Sequence, residues 1–192
     1  EYVDYIHWDQ IVFAPDGRRF AAAAWDRLNE ARIFDLDTPE QQWQVPARQS
    51  KCVGFHPDGK RLAVAWMDDG QLYEWQTKKA LRSFRGHSNT LSDLAFSPDG
   101  RYLATASQDK TAKLWDVRTS QCIRTFKGHT DAVYSLAFCA GGQCLVTGGR
   151  DRTVKMWSLE LPDDHVPVDL DLEAAFVARE LACRDGGIST ER

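Results

Sequence analysis

The chain has 192 residues, 43% hydrophobic and 27% charged, with a formal net charge of −4. That balance suits a chain able to bury a core, and it lacks the general positive charge that holds phosphates, so nucleic acid is not an expected partner. The longest apolar runs, such as Phe20 to Trp25, fall far short of the ~20 residues that a membrane-spanning helix needs, so no membrane partner is expected either.

The chain opens on Glu1 with a strand-like segment, EYVDYI, and reads as part of something longer. Phe13-Ala14-Pro15-Asp16-Gly17 then introduces a pattern that returns as Phe55-His56-Pro57-Asp58-Gly59 and Phe96-Ser97-Pro98-Asp99-Gly100, with a degenerate copy at Phe138-Cys139-Ala140-Gly141-Gly142. The steps from Phe to Phe are 42, 41 and 42 residues. Pro presets φ for a turn, Asp bonds its own backbone and Gly accepts the left-handed conformation, so each copy is expected to reverse the chain between two antiparallel strands. After each reversal come a short apolar run, a polar turn (Asp68-Asp69-Gly70 in the second unit) and a strand closing on an aromatic: Phe34, Trp75, Trp115 and Trp157. Weaker segments such as Ala80 to Phe84 and Cys122 to Phe126 supply a fourth, outer strand. Four-stranded units at this period are the signature of propeller blades, each too small to bury its faces alone. The blades are expected at about 1–45, 46–85, 86–127 and 128–160, followed at 161–192 by an acidic linker and a helical tail.

In the third and fourth units the landmarks sharpen. Gly86-His87 and Gly128-His129 open them, Trp115-Asp116 and Trp157-Ser158 close them, and the step from His to Trp is 28 in both. With these landmarks the chain resembles the WD-repeat β-propeller family: all-β, four blades of a propeller that in this family usually closes at seven. The resemblance implies a buried hydrogen-bonded set of His87, Thr105, Asp109 and Trp115 in the third unit and His129, Thr147, Asp151 and Trp157 in the fourth, at matching offsets. His and Thr donate and accept, Asp accepts and the indole only donates, so the set closes without an orphan. In the first two units the His and Thr places hold Asp4 and Ala22, then Pro46 and Val64, so the set is lost as a whole. A repeated Asp, His and Thr is read as architecture rather than as a catalytic triad.

The resemblance also implies partner docking on the face that carries the loops before the first strand and between the second and third. The matching positions are Ser88, Asn89, Gln108, Lys110, Thr130, Arg150 and Arg152, with Met67 and Asp68 more loosely placed. The expected function is a protein-interaction scaffold or sensor platform in the cytoplasm, binding a protein or peptide, without enzymatic activity, cofactor or metal. Two alternatives are a propeller-type hydrolase with a channel metal and a purely structural blade set. Against the hydrolase, the rows expected to line the channel are Gln10, Cys52, Asp93 and Ser135, and Asp9, Lys51, Ser92 and Tyr134, neither of which is a ring of oxygen ligands for a hard cation.

The five cysteines have no framework spacing and are read as reduced thiols, with Cys139 and Cys144 as small core residues. Trp66 and Met67 are candidates for an exposed apolar contact, as are Trp8 and Trp43. In the tail, Pro162 and Pro167 interrupt an acidic stretch, and 172–184 favours a helix stopped by Gly186-Gly187. This tail resembles the C-terminal ends of bacterial multidomain WD-repeat signalling proteins. Four open units would leave a bare blade face at each end, so further blades are expected, in cis from a longer chain or in trans from a second copy, unless four blades close alone.

Overall fold

The computed structural model describes residues 8–24, 30–38, 40, 42–46 and 50–159. The strands fall into four sheets, each built in chain order. Blade 1 holds β1 (Trp8–Phe13), β2 (Arg19–Ala24), β3 (Glu30–Asp35) and β4 (Gln42–Pro46). Blade 2 holds β5 (Ser50–Phe55), β6 (Arg61–Trp66), β7 (Asp69–Glu74) and β8 (Lys79–Arg85). Blade 3 holds β9 (Leu91–Phe96), β10 (Tyr102–Ser107), β11 (Thr111–Asp116) and β12 (Cys122–Lys127). Blade 4 shows β13 (Val133–Cys139), β14 (Cys144–Gly149) and β15 (Val154–Ser158) among the described residues. The acidic linker and the helix expected at 172–184 lie outside the described residues, and with them the resemblance carried by the tail.

The inner hairpins follow from their turn chemistry. Asp16, Asp58 and Asp99 each accept the backbone N–H two residues on, and the Gly that follows each Asp donates back across the turn at 2.9 Å. Blade 4 has no Pro-Asp pair and turns through Ala140, Gly141 and Gly142, all at positive φ. Across that turn Cys139 and Cys144 are directly opposed with Cα atoms 5.0 Å apart and are joined as a disulfide. Both are half-buried, which corrects their reading as reduced core residues.

Register corrects two further expectations. Phe96, Leu103 and Trp115 lie opposite one another across blade 3, and the matching row of blade 2 is Phe55, Leu62 and Tyr73. Tyr73, not Trp75, therefore closes the second unit. Trp75 sits beyond the strand, where blade 3 has Val117, and its indole donates to the Gly59 carbonyl at 3.1 Å. Trp66 pairs with Asp69, so the tight turn is Met67-Asp68, and Asp69-Gly70 already belongs to β7. An aromatic at the right distance misleads when a second one stands two residues away on the same side of the strand.

The core lies between the sheets. Ala21, Ala23, Ala31 and Ile33 of blade 1 pack on Val53, Leu62, Val64 and Tyr73 of blade 2. Ala63, Ala65 and Leu72 of blade 2 pack with Leu94, Leu103 and Trp115 of blade 3. Each blade thus turns a row of mostly small residues toward its successor and a row of larger ones toward its predecessor, which lets sheets interdigitate at interior density. Gly54 shows how tight this is: a Cβ there would lie 2.6 Å from Leu94 Cδ1 of the next blade.

The inner strands carry a polar clasp as well. Gln10 accepts the Val53 N–H of blade 2 at 2.8 Å, and Asp93 accepts the Leu136 N–H of blade 4 at 2.9 Å, each partner 43 residues further on. Gln10 also donates to Asp93 at 3.2 Å, so blades 1 and 3 meet across the centre. Cys52 holds the same place in blade 2 and has no carbonyl or carboxylate to offer, so the Leu94 N–H is taken instead by neighbouring Asp93 at 2.9 Å. Burial pushes the Asp93 carboxyl above the ordinary carboxylate range, against the bonds it accepts from Leu136, Leu94 and Gln10.

Candidate functional site: the loop face

In blade 3, His87 Nδ1 lies 2.7 Å from Asp109 Oδ2, His87 Nε2 lies 2.8 Å from Thr105 Oγ1, and Trp115 Nε1 donates to the same hydroxyl oxygen at 2.8 Å. Blade 4 repeats the arrangement through His129, Asp151, Thr147 and Trp157 at 2.8, 2.8 and 2.9 Å. The indole has only a proton to give and the carboxylate only lone pairs, so the chain runs in one direction: Trp to Thr, Thr to His Nε2, and His Nδ1–H to Asp. That order requires a neutral imidazole. Burial holds His87 below its ordinary pKa of 6.5 against the opposing pull of Asp109, in keeping with that state.

The glycine ahead of each histidine is part of the geometry. Gly86 and Gly128 have φ of 143° and 152°, and a Cβ on them would meet the rings of Trp115 and Trp157 at 3.5 and 3.2 Å. Only glycine combines that backbone with an indole tip so close.

Each aspartate does more than hold its histidine. Asp109 also accepts the Ser88 N–H at 3.1 Å and both the N–H and hydroxyl of Thr111, at 3.0 and 2.6 Å. Asp151 does the same with Thr130, at 3.0 Å, and Thr153, at 3.0 and 2.7 Å. Burial alone would raise these carboxyls. The accepted hydrogen bonds outweigh it and hold both below the ordinary carboxylate value. Thr111 and Thr153 were missed in reading the sequence, although Asp109-Lys110-Thr111 and Asp151-Arg152-Thr153 repeat the same Asp-x-Thr spacing.

These bonds tie the loop before a blade's first strand to the turn between its second and third. Ser107 Oγ donates to the Asn89 carbonyl at 2.8 Å, Gln108 N to the Thr90 carbonyl at 2.9 Å and Arg150 N to the Ala132 carbonyl at 2.7 Å. Leu91 N reaches back to the Met67 carbonyl, joining the blade 2 turn to blade 3. Met67, Asp68, Ser88, Asn89, Gln108, Lys110, Thr130, Arg150 and Arg152 thus fall at the same end of their blades, all exposed except the half-buried Gln108. Met67, Lys110 and Arg152 have positive φ (45°, 72° and 65°) at the turn tips. Arg150 approaches Asp131 at 3.8 Å, an exposed pair of little energetic weight.

The apolar candidates divide. Met67 is exposed, whereas Trp66 packs against the core between blades 1 and 2, and Trp43 lies edge-on to Trp75 with centroids 5.3 Å apart. The side chain of Trp8 lies outside the described residues, as does Asp4. In blade 2 the His-Thr set is replaced by one bond: the Tyr73 hydroxyl donates to the carbonyl of Pro46, the residue in the histidine's place, at 2.8 Å. Among the described residues no three of His, Cys, Asp and Glu gather as a metal-ligand set, and no helix is long and apolar enough to cross a membrane.

Antiparallel four-stranded sheets, stacked through their inner strands and pinned by a Trp-Thr-His-Asp chain, define a β-propeller of the repeat type. The family model described as "WD domain, G-beta repeat" matches residues 78–116 and 120–158. Periodic tryptophan protein 2 of Saccharomyces cerevisiae is 35% identical over 110 residues, which is 55% of this chain and 12% of that protein. WD repeat-containing protein 1 of Mus musculus is 39% identical over 75 residues, 36% of this chain and 12% of that protein. Target of rapamycin complex subunit wat1 of Schizosaccharomyces pombe is 42% identical over 67 residues, 34% of this chain and 21% of that protein. The solved structure of U3-55K superposes with a TM-score of 0.73 at 28% identity, covering 80% of this chain and 49% of that one. The chain therefore corresponds to about half of that structure and to smaller parts of the curated relatives. Its third and fourth units are repeats of the WD type, and its fold is that of a β-propeller.

Proposed function

We propose that this chain is a protein-interaction platform of the cytoplasm that holds a protein or peptide on its loop face and catalyses nothing. The observation that carries this reading is the division of labour in the loops. Asp109 and Asp151 fix the backbone from behind through four accepted hydrogen bonds each, while Ser88, Lys110, Thr130, Arg150 and Arg152 point their exposed side chains away from that work. Binding residues concentrate on loops that a rigid scaffold presents, because loop side chains ordered in advance lose less entropy on docking. Support also comes from a relative that is by name a subunit of a complex.

Lys110→Glu combined with Arg150→Glu tests the face. Partners captured from a lysate by the wild-type chain are expected to be lost by the double variant at an unchanged melting temperature. Capture that survives the double reversal would refute the assignment to this face. The compartment is tested by counting thiols in the denatured protein without reductant. The Cys139–Cys144 bridge leaves three thiols to be counted, and recovery of all five would mean that the compartment keeps the pair reduced, as the cytoplasm does.

A further inference from the structure

At the end of the blades opposite the loop face, the inner-hairpin turns of successive blades meet, and the seams between them close in different ways. Between blades 2 and 3 the seam is plugged by a ring. His56 is 5% exposed; its Nε2–H donates to the Gly100 carbonyl of the next blade at 2.9 Å and its Nδ1 accepts the Asp58 N–H at 3.0 Å. The ring stands edge-on to Phe96 with centroids 5.0 Å apart, and a Cβ on Gly100 would lie 2.4 Å from its Nε2. Between blades 3 and 4 the Pro98 ring fills the gap, 3.3 Å from where a Cβ on Gly142 would stand.

Between blades 1 and 2 the same place is open. Ala14 stands where blade 2 has His56, on a turn of the same backbone. Its N–H donates to the Arg19 carbonyl at 2.7 Å and its carbonyl accepts the Gly17 N–H at 2.9 Å, as His56 does with Arg61 and Gly59, both at 2.9 Å. Gly59 stands where blade 3 has Gly100, and a Cβ on it would meet nothing within 4 Å. The result is a groove of about 400 Å³ between Pro15 and Pro57, with Arg19, Gly59, Lys60 and Gln76 on its walls.

The chemistry of the groove suits a neutral planar ring. The carboxylates beside it are satisfied already, Asp16 by the Arg18 and Arg19 amides and the Arg19 guanidinium, Asp58 by the Lys60 and Arg61 amides and the Arg61 guanidinium. Arg19 lies over the Trp75 ring at 5.0 Å and gives the groove a flat cationic wall, on which an aromatic ring can stack. The Gly59 carbonyl accepts the Trp75 indole N–H at 3.1 Å and has a second lone pair to offer, as the Gly100 carbonyl offers one to His56.

We propose that this groove binds an imidazole ring, seated as His56 is in the neighbouring seam, with its N–H on the Gly59 carbonyl and its face against Arg19. This does not rest on the loop-face reading, which concerns the other end of the blades. The test is titration of the full chain with imidazole at about pH 8, where the ring is neutral, read by amide chemical shifts. Saturable shifts are expected at Gly59, Lys60 and Gln76. N-methylimidazole has no N–H to donate and is expected to bind about tenfold more weakly, a comparison that needs no variant. Ala14→His supplies the ring from the chain itself and is expected to abolish the shifts. His56→Ala opens the neighbouring seam and is expected to add a second saturable set around Gly100, which checks the probe. A histidine side chain of a docked peptide and a free small molecule carry the same ring. Tighter binding of glycyl-histidyl-glycine than of imidazole would assign it to a peptide, and the reverse to a small molecule. A wild type without saturable shifts at Gly59 overturns the proposal. So does equal binding of N-methylimidazole, or binding that persists in a folded Ala14→His.

Discussion

Thr105 gathers two bonds on one oxygen, from the Trp115 indole and to the His87 ring, and it is 1% exposed. Thr105→Val keeps the shape but strands a buried N–H and a buried ring nitrogen, so it is expected to cost about 2 kcal/mol. For a domain of this size that lowers the melting temperature by roughly 4 to 8 °C, and a melt unchanged within error would refute the network's structural role. Titration acts on the same set. His87 and Asp109 both have folded pKa values below their unfolded ones, so each contributes stability that is present above its unfolded value and lost as pH falls through its folded value. Acidification below about pH 6.5 is therefore expected to lower the melting temperature, first through His87 and then through Asp109. In Asp109→Asn the gap from wild type is expected to narrow as pH falls, and a gap constant from pH 8 to pH 4 would contradict the assignment. Asp93 works in the opposite sense, since burial raises its pKa and protonation relieves it.

At the scale of the element, the clasps divide the seams by chemistry. Asp93→Ala is expected to free the Leu136 N–H and raise its hydrogen-exchange rate, while Gln10→Ala does the same for Val53, each leaving the other seam protected. Exchange that rises across all blades in either variant would mean the clasp is not local. These contacts also mark where the sequence stops being readable. Pro-Asp-Gly turns, and the His, Thr, Asp and Trp offsets, could be read because each is set by short spacing and by a residue type that chemistry forces. The clasp could not, because its partners lie 43 and 83 residues apart and its row of Gln10, Cys52, Asp93 and Ser135 has no common side chain. Tyr73 was hidden by Trp75 for the reverse reason, since both residues satisfy the local pattern and only register separates them. The opposed Cys139 and Cys144 could be seen as neighbours across a turn, yet spacing alone does not settle their redox state.

For the molecule as a whole, the core is shared between sheets rather than enclosed by any one of them. Gly54→Ala is thus expected to act on two blades at once. Its methyl group would have to displace the Leu94 side chain of the next sheet, and overpacking of this kind costs about 1 to 3 kcal/mol. A broadened melt with exchange rising on both β5 and β9 would follow from such sharing, and a loss confined to β5 would argue that the blades are independent.

The aspartate turns have a consequence for how such a molecule changes over generations. Asp109 fixes its loop through groups behind the surface, and the positive φ of Lys110 excludes proline and disfavours β-branched residues there while leaving the charge and chemistry of the side chain open. What lies in front at Gln108 and Lys110, and likewise at Arg150 and Arg152, is exchangeable without refolding what lies behind. Inheritance can rewrite the text of this face one letter at a time while the page beneath it stays flat.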